Sequence, residues 1–191
     1  MTRGMSRERA TCDPPIVADL KTDFLTKEAW MLAWVASVQR SKVYRAGLKP
    51  DATGVRGFRR GVCAYVTEAL LPSYTSTCDP SRHCSNLESL AAYANSAGQD
   101  VLAEAGYKIG VAQKFLNLLL KYQWCLDLVA ELPHCPVDRI VLQKTRFRGK
   151  LNWTEIGTIE QYVDVMKEIQ DIAERQKLSV AEWELRNYSR R

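Results

Sequence analysis

Apolar residues recur three and four positions apart along almost the whole chain, which is the spacing of helices that bury one face. After a polar start, Ile16 to Phe24 predicts a short helix. Thr26 then caps a stronger one, in which Ala29, Trp30, Leu32, Ala33, Trp34, Ala36 and Val38 are apolar on most sides. Pro50-Asp51 and Gly54 mark a loop, and a third helix is expected from about Val55 to Leu71, stopped by Pro72. Tyr74 to Cys84 looks like a polar connector.

Three stretches carry the capping-box form, in which a hydroxyl accepts from the third helical amide and a Glu or Gln returns to the cap amide. They are Ser85–Glu88, Thr158–Gln161 and Ser179–Glu182. The first predicts a helix to Ala105, the second an amphipathic helix through Ala173, and the third a last helix towards the C-terminus. Between Gly106 and Gly110 lies a short turn, followed by a strongly apolar helix from Val111 to about Leu128. Ile140-Val141-Leu142 begins either a helix or a short strand. No repeat, heptad or linker interrupts this order. The expectation is a single all-α domain, residues 1–191, of about eight helices.

The chain has 191 residues, 46% of them apolar and 26% charged, with only 17 Gly and Pro. That balance excludes a disordered or collagen-like protein. No apolar run approaches the length of a membrane span, so no membrane partner is expected. Arg3, Arg7 and Arg9 have no apolar segment behind them, so no secretory signal is expected. Six cysteines are too few to staple a domain of this size, and they point to reduced thiols and a cytoplasmic location.

The formal net charge of +5 is mild, but its distribution is uneven. Seven basic residues lie between Arg40 and Arg60 against Asp51 alone. Five lie between Arg139 and Lys150 with no acid: Arg139, Lys144, Arg146, Arg148 and Lys150. Such clusters suit either a polyanion, nucleic acid above all, or solvated loops.

The helix after Gly110 belongs at the centre of the molecule, because it is apolar over most of its circumference. Lys114, Asn117 and Lys121 form one narrow polar stripe on it, with Gln113 alongside. The stripe faces water, a ligand or an acid, since an unpaired buried ammonium is costly. The glycine-flanked turn before it, with Gly106, Lys108 and Gly110, offers backbone amides to a phosphate. Downstream, Pro136-Val137-Asp138 sets an acid after a proline-stiffened turn, as a helix cap or as a functional carboxylate.

Gly110-Val111-Ala112-Gln113-Lys114 resembles the helix-hairpin-helix signature, G-V-G-x-K, of the DNA glycosylases of the endonuclease III and 8-oxoguanine glycosylase superfamily. Pro136-Val137-Asp138 resembles the [VP]-[VI]-D segment that follows it. The long apolar helix is most similar to the archaeal 8-oxoguanine glycosylase branch. The resemblance covers about 35 residues. It implies two helical subdomains with a cleft between them, a hairpin at about 85–128, Lys114 as nucleophile and Asp138 as essential acid. Ala112 departs from the second hairpin glycine. No cysteine follows Cys135, which removes the iron–sulfur cluster of endonuclease III.

The partner so implied is DNA, contacted along its backbone by Gly106, Lys108, Gly110, Gln113, Lys121, Arg139, Lys144, Arg146 and Arg148, with one base flipped into the cleft. Asn117, Trp124, His134 and Cys135 are candidate walls of the base pocket, and Trp30, Trp34, Tyr107 and Trp153 are further aromatic candidates. Cys78, His83 and Cys84, with Cys63, are potential zinc ligands, but their spacing is not that of a standard site, so neither a metal nor another cofactor is expected. The activity implied is excision of a damaged or modified base, in repair or in defence against phage DNA carrying unusual bases. The alternatives are a non-catalytic, basic DNA-binding or adaptor protein and a protein-binding helical module.

Overall fold

A computed structural model describes residues 15–188, and among these there are seven α-helices and no strand. They are α1 (Pro15–Val38), α2 (Thr53–Tyr65), α3 (Pro80–Ala97), α4 (Ile109–Trp124), α5 (Arg139–Leu142), α6 (Ile159–Arg175) and α7 (Val180–Asn187). The N-terminal arginines lie outside the described residues. No helix among the described residues is long and apolar enough to cross a membrane.

α4 is the axis of the molecule. Fourteen of its residues are buried, including the polar Gln113, Lys114, Asn117, Lys121 and Gln123. α1 packs along it, with Trp34 edge-on to Phe115 at 5.2 Å between ring centres and Trp30 tilted against the same ring at 6.0 Å. α3, α6 and the short turn Trp153–Glu155 surround the rest of α4, and one hydrophobic cluster runs from Ala33 to Trp183.

Several boundaries differ from the sequence expectation, each for a local reason. The two helices expected at 16–38 are one, because no Gly or Pro interrupts residues 16–38 and Thr26 simply continues the helix. The apolar character of α1 also exceeds what the core covers: Leu20, Phe24, Leu25 and Met31 stay exposed. α2 ends at Tyr65, and the chain widens into a π-turn, Val66–Leu70, and then a 3-10 turn over Leu71–Tyr74 that contains Pro72. Proline has no amide to continue the ladder, which accounts for the break there.

The expected helix start at Ser85 is corrected to Pro80. Asp79 accepts from the amides of Ser81 (2.8 Å) and Arg82 (3.3 Å), and Pro80 occupies the first helical position, where a missing amide costs nothing. Ser85 is therefore inside the helix and donates back to the carbonyl of Ser81. The helix also ends at Ala97 rather than Ala105. Residues beyond Gly98 form a loop that pairs with the 43–45 segment, through Arg45 N to Val101 O and Ala103 N to Val43 O. The capping boxes at Thr158 and Ser179 both form. The ambiguous 140–142 stretch is one helical turn, and α4 stops at Trp124, short of Leu128.

Candidate active site

Lys114 and Asp138, 24 residues apart in sequence, meet side by side, with Nζ donating to Oδ2 at 2.9 Å. The other carboxylate oxygen of Asp138 caps α5, accepting from the amides of Ile140 (2.8 Å) and Val141 (3.0 Å). One oxygen of Asp138 thus caps α5 while the other meets Lys114.

What brings Asp138 to Lys114 is a clamp from α4. Gln113 donates to the carbonyl of Val137 at 2.8 Å and accepts from the Val137 amide at 3.0 Å. One turn on, Asn117 donates to the carbonyl of Cys135 and to the hydroxyl of Tyr162. The segment is thereby laid along a helix, with the carbonyl of Cys135 and both backbone groups of Val137 satisfied by amide side chains.

The pair opens into a groove of about 430 Å³. Leu32, Val35 and Ala36 of α1 form an aliphatic wall, and Gln39 and Arg40 follow at its end. Leu118 of α4, Arg139, Ile140, Trp153 and Tyr188 complete the lining. Exposure of the Lys114 and Asp138 side chains is 7% and 13%, and both line this groove.

A second ion pair lies further along the same stripe. Lys121 meets Glu184 of α7 at 2.5 Å, and its ammonium sits 4.7 Å from the centre of the Tyr188 ring. Burial pushes the Glu184 carboxyl above its ordinary value, against the pull of Lys121 and Lys114. Beyond it is a buried polar cluster. His83 shares a hydrogen bond with Tyr74, His134 with Tyr162, and the two imidazoles meet edge-to-face at 4.9 Å. Burial, together with the neighbouring His134, lowers His83 to about 3, and burial lowers His134 to about 4. Both rings are neutral near pH 7.

These placements revise several expected contacts. Gln113 is fully buried and engaged with Val137, and Lys121 is buried against Glu184, so neither is available to a DNA backbone. The amide of Gly110 donates to the carbonyl of Ile156 at 2.8 Å, and that of Gly106 to the carbonyl of Ala103. The turn therefore has no free amide at either glycine to grip a phosphate. Gly106 adopts φ +66°, and Asn95 bonds both backbone groups of the neighbouring Tyr107. Lys108 is half-buried at the α4 cap.

Asn117, His134 and Cys135 are interior residues and do not line the groove; burial raises the Cys135 thiol. Trp124, half-buried at the end of α4, is also away from it, as are Trp30, Trp34 and Tyr107. Trp153 does line it. Arg139 borders the groove, and Arg148 faces an adjoining cavity. Arg146 is diverted to Asp164 (2.6 Å) and Glu168 (3.6 Å), and Lys144 is exposed but borders neither cavity.

Leu32, Val35 and Ala36 of α1, and Gln39 just after it, carried no sequence signal as site residues, nor did Tyr188. Arg40 did, as the first member of the N-terminal basic cluster. No group of three or more His, Cys, Asp and Glu among the described residues could hold a metal ion. No family model, curated protein or solved structure matches this chain.

Proposed function

We propose that this protein is a DNA glycosylase with strand-nicking lyase activity, and that Lys114 is its nucleophile and Asp138 its acid–base partner. The observation that carries the proposal is the 2.9 Å approach of these two side chains at the floor of an open groove. In this reading α3, the 98–108 connection and α4 are the helix-hairpin-helix. The groove between α1 and the 138–153 segment is then the cleft between two helical subdomains, and it receives a flipped nucleotide.

The Lys114 amine attacks the anomeric carbon after passing a proton to Asp138, the carboxylate already bonded to it. The bond from that carbon to the base breaks, its electron pair leaves with the base, and the base takes up the proton that Asp138 received, which leaves Asp138 a carboxylate again. Opening of the sugar ring and loss of the second amine proton give a Schiff base. Removal of the neighbouring sugar proton then expels the 3′ phosphate and nicks the strand. Asp138, fixed by two amides of α5, remains placed to stabilise positive charge on the sugar. The aliphatic wall of α1 and the Trp153 ring would hold the base out of water. Excision of a damaged base in repair and excision of an unusual base from phage DNA require the same bond cleavage.

Borohydride reduction tests this directly. Wild-type protein is expected to become covalently joined to an oligonucleotide carrying its substrate base, and Lys114→Ala to form no such product. A screen for base release across modified duplexes, phage-type cytosine derivatives included, identifies the base. A wild-type protein that neither cross-links nor releases any base overturns the catalytic reading. The competing one, a non-catalytic DNA-binding protein, draws on the closed Lys114–Asp138 ion pair, which in that case only ties the 135–138 segment to α4.

A further inference from the structure

Beside the groove, with Arg139 as their common wall, lies a second cavity of about 510 Å³. It opens between α5 and the chain that leads into the Trp153–Glu155 turn, and its polar lining is Arg139, Gln143, Arg148, Lys150, Asn152 and Glu155. Arg148 and Lys150 flank a tight turn at Gly149, whose φ of +70° is one that L side chains rarely adopt. The turn is closed by its own backbone, through Arg148 N to Thr145 O and Lys150 N to Phe147 O. The backbone that carries both cations is therefore fixed, and their side chains are exposed.

None of Arg139, Arg148 and Lys150 makes an ion pair among the described residues, whereas Arg146, in the same run, is committed to two carboxylates. Three cations share one concavity with a single acid, Glu155, and the cations repel one another. An anion entering it relieves that repulsion, and the planar fork of a guanidinium matches phosphate oxygens. At the start of α4, by contrast, the Gly110 amide is already taken by the Ile156 carbonyl. Lys144 and Arg146, equally basic by sequence, do not border this cavity.

We infer that this cavity is a phosphate site, which holds one phosphodiester of the DNA strand whose target nucleotide occupies the groove. The identity of the strand rests on the glycosylase reading, but the grip itself requires no chemistry. Arg139 connects the two cavities, so a phosphate seated in one fixes the position of a nucleotide in the other. The contact reads no base, and its contribution is the same for every sequence.

The test is the salt dependence of binding to a duplex with an uncleavable tetrahydrofuran abasic site, followed by fluorescence anisotropy. Wild type is compared with Arg148→Gln, Lys150→Gln, the double variant and Lys144→Gln, all substituted at exposed positions and checked for folding by circular dichroism. The double variant is expected to lose affinity about tenfold irrespective of sequence, while the log–log salt slope falls by about one unit, because one phosphate is released. The singles combine less than additively, since both cations hold the same group. Lys144→Gln loses clearly less.

The inference is overturned by any of four outcomes: no DNA binding, a double variant that binds like wild type, a slope that falls by about two units with additive singles, or a Lys144→Gln loss equal to the others. Borohydride trapping separates this from the chemistry. A protein that traps substrate with an unaltered double variant rejects only the phosphate site, and one that binds through the cavity yet never traps rejects only the nucleophile.

Discussion

Gln113 lies beside Lys114 and touches nothing in the groove, yet it holds the segment that delivers Asp138. Its removal leaves the amide and the carbonyl of Val137 without partners in a dry interior. Gln113→Ala is expected to destabilise the fold by about 3 kcal/mol, measured by urea unfolding, since each orphaned group costs on the order of 1–3 kcal/mol. The residue types of the candidate pair were legible because a lysine on an apolar helix and an aspartate after a proline turn are conspicuous locally. The burial of Gln113, Asn117 and Lys121 was not. Helical spacing puts them on one polar stripe, and such a stripe ordinarily meets water. Their partners, Val137, Cys135 and Glu184, come from segments distant in the chain, and nothing in α4 announces them.

At the level of the element, the contact between the start of α4 and the Trp153–Glu155 turn is the tightest backbone approach at any glycine among the described residues. A Cβ on Gly110 would stand 2.0 Å from the Trp153 carbonyl oxygen and 3.2 Å from that of Ile156. Backbone atoms cannot swing aside, so Gly110→Ala is expected to cost about 3 kcal/mol and to lower the thermal midpoint, while Gly57→Ala, with open space around it, is not. The sequence marks this glycine as part of a hairpin signature, but its role in the fold is to admit another backbone. Capping boxes show a comparable limit. Thr158 and Ser179 begin helices because the residues just before each are outside any helix. Ser85-Asn86-Leu87-Glu88 has the same letters, but Asp79-Pro80 has already started the helix upstream, and a cap inside a helix has no free amides to satisfy.

For the molecule as a whole, the two interior histidines couple stability to acidity. An imidazole in the unfolded chain titrates near 6.5, whereas His83 and His134 in the fold titrate at about 3 and about 4. Between those values the unfolded chain binds more protons. Stability is therefore fully present above about pH 6.5 and drains as pH falls from there towards 4. Glu184, raised by burial, acts in the opposite sense. Thermal midpoints from pH 8 to pH 4 are expected to decline, and His83→Gln is expected to flatten that decline. The helical class and the central position of α4 were evident from periodicity. The site's walls were not, because α1, the 138–140 segment, Trp153 and Tyr188 converge only once the chain is packed. One asymmetry of those walls limits what can enter. Leu32, Val35 and Ala36 offer an apolar side, while Lys114, Asp138, Arg40 and Arg139 offer a charged one. In the glycosylase reading proposed above, a flipped nucleotide would match both, its base against the first and its sugar and phosphate against the second.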